Sequence, residues 1–151
     1  MAFKPYDVTL DNGNRFHNAV TVTTATSTAG TTIDLGAANQ FAKFLVVIDY
    51  SGLTVSGTDN EVYRFQIQIS ADSGFSAYTV QAEKLLGDKD ATGYTHDTPA
   101  AGRTVLYADN VGVLSSTDPN IVAPLRYVRC LMITTGTTPS ITVSAWLVPM
   151  T

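Results

Sequence analysis

The sequence has one cysteine, two glutamates and no long apolar run, and each shortage excludes a class of structure. A lone cysteine, Cys130, can form neither an internal disulfide nor a zinc site with several cysteines. The longest uninterrupted apolar run covers residues 44–48, whereas a membrane-spanning helix needs about 20 apolar residues. The first residues lack the apolar core of a secretory signal peptide. We therefore expect no disulfide, no transmembrane helix and no export signal.

Charge is also scarce, because only 15% of the 151 residues are charged and the net charge is −4. A protein with this balance and a pI near 4.8 is poorly suited to bind nucleic acid, whose phosphates require a basic surface. The apolar fraction of 44% is too high for a disordered chain. The length fits one domain, which can bury a core without metal or disulfide. We expect a single acidic globular domain.

Glutamate and lysine, which are common in helices, are few, because only Glu61, Glu83 and four lysines occur, while threonine and valine are abundant. β-branched residues prefer strands, and helices are usually rich in Glu, Lys, Ala and Leu. No stretch of about twelve residues carries the apolar i, i+3, i+4, i+7 spacing of an amphipathic helix. The composition predicts an all-β protein with at most one short helical turn.

Alternating apolar and polar residues predict about eight strands. In the clearest strand, residues 62–70, apolar Tyr, Phe and Ile alternate with polar residues, so one face is expected to be core and the other wet. Residues 43–50 are nearly all apolar and predict a central strand covered on both faces. The Gly and Pro after residue 134 predict that the last two strands form a hairpin. The predicted strands are 19–25, 31–35, 43–50, 62–70, 78–86, 103–108, 126–134 and 141–148.

This pattern is typical of an antiparallel β-sandwich, a jelly roll or a barrel. Two segments do not fit it, namely the first 18 residues and the polar loop 87–102. The first segment carries spaced aromatic residues, and it is either a frayed terminus or hairpin packed on its own domain, or an arm that docks on a partner. We expect an N-terminal arm over residues 1–18 and a sandwich domain over residues 19–151.

Catalytic groups are few. The two histidines are His17 and His96, and His96 stands beside Asp97 on a polar loop without the Gly-x-Ser-x-Gly turn of a hydrolase. Cys130 alternates with Val128 within a strand, which predicts a buried thiol and not a reactive one. We expect no enzyme, no catalytic residues and no cofactor.

Two segments have the spacing of ligand-binding loops. Asp88, Asp90 and Gly93 match the first half of a calcium loop, but its twelfth position is Pro99 where a glutamate belongs, so an ordinary acidic turn is favoured. Residues 52–57 have the glycine spacing of a phosphate-binding loop, but Thr58 stands where the lysine belongs. We therefore expect no metal-ligating residues and no bound phosphate.

Three motifs support a family resemblance. They are Ile-Asp-Leu-Gly-Ala at residues 33–37, Ser-Ala-Asp-Ser at residues 70–73 and Arg-Tyr-Val-Arg at residues 126–129. With their flanking strands, over roughly residues 20–148, they resemble the capsid cement (decoration) proteins of tailed bacteriophages, of the type known from Bordetella phage. The resemblance implies a jelly-roll fold, a homotrimer, and binding to the major capsid protein across adjacent subunits. It also implies a place on the outer surface of the virion after synthesis in the host cytoplasm, with no small-molecule substrate.

Candidate contacts with the shell or a neighbouring protomer follow from this hypothesis. Alternation places Tyr127 and Arg129 on one face of their strand and Arg126 on the other, with Val128 and Cys130. Each arginine is either solvated or part of an ion pair between subunits. The candidate contact residues are Phe3, Lys4, Tyr6, Arg15, Phe16, Arg126 and Arg129.

An alternative function is a glycan- or receptor-binding β-sandwich module of a phage fibre. Sugar sites commonly combine an exposed aromatic ring with acidic and amide side chains. Tyr94 and the residues 107–110, which include Tyr107 and Asp109, are the candidates for such a site.

Overall fold

The computed structural model describes residues 14–36, 42–55, 60–113 and 122–150. The elements are β1 Arg15–Val22, β2 Thr26–Ala29, β3 Ile33–Asp34, β4 Lys43–Ser51, β5 Val62–Ser70, β6 Thr79–Gly87, α1 Lys89–Thr92, β7 Gly102–Asp109, β8 Val111–Val113, β9 Val122–Pro124, β10 Tyr127–Thr135 and β11 Ile141–Pro149. Within these ranges no helix has the length and apolar character needed to cross a membrane.

The strands form two antiparallel sheets that face each other as a sandwich. The front sheet has the order β1-β11-β4-β7, and the back sheet has the order β2-β10-β5-β6, with β3 also paired to β10. Steps along the chain from β1 to β2, β4 to β5, β6 to β7 and β10 to β11 each cross from one sheet to the other. This order is that of a jelly roll. The all-β sandwich predicted from composition and alternation is therefore confirmed.

The core lies between the sheets because alternate residues of each strand point inward. On β5 these residues are Tyr63, Phe65, Ile67 and Ile69, all fully buried. The facing strands of the front sheet contribute Val46 and Ile48 from β4 and Val143 and Leu147 from β11, among others. Burying this apolar surface is the main stabilising contribution to such a fold.

The predicted hairpin of the last two strands is wrong. β10 pairs with β2, β3 and β5, whereas β11 pairs with β1 and β4 in the other sheet. The connection between them crosses the end of the sandwich, where the N–H of Thr54 donates to the carbonyl of Ser140 over 3.0 Å. Gly and Pro occur both in hairpin turns and in connections that cross between sheets. Their presence therefore did not distinguish a hairpin from a crossing.

The predicted boundary of the N-terminal arm at residue 18 is also wrong. Residues 15–18 belong to β1, and Phe16 and His17 are each only 2% exposed. The pairing of β1 with β11 shifts register between Arg15 and His17 and again before Val20, and Ala19 has φ 48°. These irregularities bury two consecutive side chains, which breaks the alternation that identifies a strand. The rest of the predicted arm, residues 1–13, lies outside the described residues.

Candidate functional site

The outward side of the front sheet carries a group of apolar side chains, here called the outer apolar face. Strand pairing aligns Val105 with Val47 and Val47 with Trp146, and it aligns Tyr107 with Leu45 and Leu45 with Val148. Val105 and Tyr107, on the edge strand β7, are 50% and 51% exposed, whereas Val47 and Trp146 are nearly covered. The outer apolar face consists of Leu45, Val47, Val105, Tyr107, Trp146 and Val148.

Charged groups border this face on two sides. The guanidinium of Arg103 binds the carboxylate of Asp49 through two hydrogen bonds of 2.5 and 2.7 Å. The guanidinium of Arg15 lies 5.5 Å from the centre of the Trp146 ring, and its Nη1 donates to Asn18 over 2.7 Å. An apolar centre with a charged rim is typical of a surface that contacts another protein.

Arg126, a predicted contact residue, is paired within its own chain. Its Nε and Nη2 donate to the two carboxylate oxygens of Asp34 over 2.8 and 2.7 Å. These bonds, with a third from the N–H of Gly36, lower the pKa of Asp34 to about 2. β10 begins only at Tyr127, and the exposed Arg126 lies beside the Tyr127 ring, so its predicted place on the face of Val128 is wrong.

Arg129 also has partners within the chain. Its Nε donates to Oε1 of Gln68 over 2.8 Å, and its guanidinium lies 4.2 Å from the centre of the Phe75 ring. Gln68 continues the chain of hydrogen bonds to Gln66, over 2.9 Å. Gln68 is fully buried in this arrangement, so the outward face of β5 is not wet along its whole length as predicted.

The three motifs behind the family resemblance therefore meet around the start of β10. Tyr127 pairs with Asp34 on one side and with Ser70 on the other. The turn after Ser70 is shaped by Asp72, whose carboxylate accepts the N–H groups of Gly74 and Ser76. The contacts of Arg126 and Arg129 are thus contacts within the fold.

The remaining predicted contact residues have different positions. Phe16 is part of the core and is not available on the surface. Arg15 lies on β1 beside Trp146, at the border of the outer apolar face. Phe3, Lys4 and Tyr6 lie outside the described residues.

Two side chains capable of chemistry, those of His17 and Cys130, are both buried. Nε2 of His17 lies 3.0 Å from the carbonyl oxygen of Cys130, to which it donates as a neutral ring. Burial lowers the pKa of His17, and burial raises the pKa of the Cys130 thiol to about 12. The predicted burial of Cys130 is confirmed, and its thiol has little nucleophilic character at neutral pH.

The calcium-like segment is a single helical turn. Oδ1 of Asp88 accepts the N–H groups of Asp90 and Ala91 over 2.7 and 2.9 Å, so this carboxylate caps α1. Gly93 ends the turn with φ 76°, a conformation that favours glycine. In the part of the chain that the structure covers, no group of three or more His, Cys, Asp or Glu side chains could hold a metal ion.

A cavity of about 350 Å³ lies where β6 of the back sheet meets β7 of the front sheet. Its polar lining includes Tyr50, Lys84, Tyr94, His96, Asp97 and Arg103. From the sequence, Tyr94 is a candidate sugar contact, and His96 with Asp97 is the adjacent pair considered for catalysis. Tyr50, Lys84 and Arg103 come from β4, β6 and β7, and their separation in sequence gives no local motif.

Comparison with known proteins gives no further assignment. No protein-family model, no curated protein and no solved structure matches the chain. The surfaces described above and the resemblance in sequence are therefore the basis on which a function is proposed.

Proposed function

We propose that the chain is a structural virion protein that decorates and stabilises the outside of a bacteriophage capsid. It binds as a homotrimer across adjacent copies of the major capsid protein. The observation that carries this proposal is the outer apolar face, where Val105 and Tyr107 are half exposed beside the nearly covered Trp146. A contiguous group of exposed apolar side chains on one face of a sheet favours a site of protein contact.

We assign the contact surface to the outer apolar face rather than to Arg126 and Arg129. Arg126 and Arg129 already have partners in their own chain, so an ion pair with another subunit would compete with these contacts. Contact through Val105 and Tyr107 does not compete with such bonds. It is favourable because it would remove their apolar surface from water. Arg103 and Asp49 at the border would then supply polar contacts at the rim.

The mechanism is multivalent binding by a rigid unit. A trimer that contacts several capsid subunits at once binds more tightly than any single contact, because later contacts form at high effective concentration. A ligand that binds the assembled shell and not the separate subunits stabilises the shell by mass action. A jelly roll suits this role because its two sheets are held by a continuous core.

Co-sedimentation with expanded capsids tests the proposal. The capsids come from the phage whose genome encodes the chain, and bound protein is counted per shell. Saturation at one trimer for each three-fold position supports decoration. Absence of binding to expanded shells contradicts it, and a few copies per particle would instead favour the module of a fibre.

A further inference from the structure

The cavity between β6 and β7 has a wall that is fixed in place by hydrogen bonds. The N–H of Thr98 donates to the carbonyl of Gly87 over 2.9 Å, and the N–H of Gly87 donates to Oγ1 of Thr98 over 2.8 Å. The N–H of Lys89 donates to Asp97 over 3.1 Å, and Leu53 binds the carbonyl of Ala100 over 3.0 Å. The loop is therefore tied to β6, α1 and the segment after β4, as expected of a preformed site.

Two polar groups of the lining have no hydrogen-bond or ion-pair partner among the described residues. The first group is the hydroxyl of Tyr50, which makes no hydrogen bond with any described residue, and Tyr50 as a whole is only 9% exposed. Burial raises the pKa of this hydroxyl, with no hydrogen bond contributing to the shift. The hydroxyl is therefore free to form a hydrogen bond with a ligand that enters the cavity. Gly102 leaves room for the hydroxyl, since a Cβ there would lie 2.6 Å from it.

The ammonium of Lys84 is the second group. It has no carboxylate partner among the described residues, and it lies 5.7 Å from the centre of the Tyr94 ring. The Tyr94 side chain is 46% exposed, so much of its ring is open to a ligand. Arg103 and His96 also line the cavity, although the guanidinium of Arg103 is bound to Asp49.

These groups select one chemical class. The uncompensated ammonium favours a carboxylate, and the open Tyr94 ring favours the apolar face of a sugar ring. Asp97 accepts a single N–H among the described residues, so it can also accept hydroxyl groups of a ligand. The same carboxylate repels a doubly charged phosphate more strongly than a singly charged carboxylate, because the repulsion between like charges grows with their size. A volume of about 350 Å³ accommodates a monosaccharide.

We propose that this cavity binds a pyranose sugar that carries a carboxylate, such as a hexuronic or sialic acid unit of a surface polysaccharide. Lys84 binds the carboxylate, Tyr94 packs on the ring, and Tyr50 and Asp97 bond to hydroxyl groups. This site meets the border of the outer apolar face at Arg103, whereas its four proposed ligand contacts lie outside that face. The free chain is therefore expected to bind the sugar without a capsid, and a capsid decoration protein with this site would also contact a glycan-coated surface.

Titration of the full ¹⁵N-labelled chain with glucuronate and with N-acetylneuraminate, followed by NMR, tests the proposal. Methyl glucoside, a ring without charge, and acetate, a charge without a ring, are the control ligands. We expect saturable shifts of the amides of residues 84, 94–98 and 103–104 with at least one acidic sugar, and much weaker binding of both controls. Absence of these shifts, or equal binding of acetate, overturns the proposal.

Two lysine variants make the test specific. Lys84→Met removes the ammonium and keeps the apolar stem, and we expect it to weaken binding by about tenfold or more. Lys89→Met removes a nearby exposed lysine that does not line the cavity, and we expect unchanged binding. Equal weakening by both variants would show general charge attraction and would overturn the assignment of the site.

Discussion

The backbone N–H of Ser140 donates a hydrogen bond of 2.9 Å to the hydroxyl of Tyr63, although 77 positions separate the two residues. The same hydroxyl donates to the carbonyl of Thr54 over 2.6 Å, and Tyr63 is fully buried. One side chain of β5 thus joins the segment after β4 to the connection between β10 and β11. This bond holds the crossing between the two sheets at one end of the sandwich.

Replacing Tyr63 with Phe should therefore destabilise the fold. Tyr63→Phe leaves the N–H of Ser140 and the carbonyl of Thr54 without this partner, which is expected to cost about 1–3 kcal/mol. Urea denaturation measures the change. Tyr107→Phe is the control, because that side chain is 51% exposed, and it should change the free energy of unfolding by less than about 0.5 kcal/mol. An equal effect of the two variants would contradict the role given to Tyr63.

Truncation tests the boundary between the start of the chain and the sandwich. Removing residues 1–18 deletes half of β1 together with the buried Phe16 and His17. We expect this truncation to be less stable than removal of residues 1–13 by about 3 kcal/mol or more, since loss of a buried aromatic side chain alone costs about that amount. Thermal unfolding of the two truncated chains measures the difference. Equal stability of the two truncated chains would instead support the predicted arm, which includes residues 14–18.

The ion pair of Asp34 and Arg126 should depend on pH in a defined direction. Because the folded pKa of Asp34 is about 2, below its ordinary value of 3.8, the pair stabilises the fold above that ordinary value. Its contribution is lost as the pH falls through 2. Both side chains are exposed, so the effect on the free energy of unfolding should be small.

An NMR titration of the Asp34 carboxyl carbon measures this pKa directly. Arg126→Gln should raise the pKa of Asp34 towards its ordinary value, because the hydrogen bonds from Arg126 are the largest cause of the shift. Arg64→Gln is the matched control, since Arg64 faces Glu83 at 3.8 Å and not Asp34. An unchanged pKa in Arg126→Gln would show that the pair does not persist in solution.

The strand pattern was predictable where one side chain in two is buried. β5 has the predicted bounds, and residues 43–50 fall within β4, because regular alternation or a continuous apolar run identifies such strands. The alternation of apolar and polar residues did not predict which of the two sheets each strand joins. The crossing held by Tyr63 and Ser140 depends on a contact between distant residues, and local turn residues carry no information about it.

The candidate site was less predictable than the fold. Under the family resemblance, Arg126 and Arg129 are predicted to be either solvated or paired with another subunit, but Asp34 and Gln68 from other strands pair with them within the chain. The outer apolar face was missed because an apolar residue in a strand suggests core, and the sequence does not show that Val105 points away from it. Only the pairing of β7 with β4 places Val105 beside Val47.

Capsid binding by two matched valine variants is the most direct test of the proposed function. Val105→Asp places a charge in the outer apolar face, whereas Val80→Asp places one on the edge strand of the back sheet, where Val80 is 40% exposed. Co-sedimentation with expanded capsids then gives the number of copies bound per shell for each folded variant. The account predicts saturable binding by the wild-type chain and by Val80→Asp, and loss of binding by Val105→Asp. Wild-type binding that Val105→Asp leaves unchanged, or no wild-type binding at all, would contradict it.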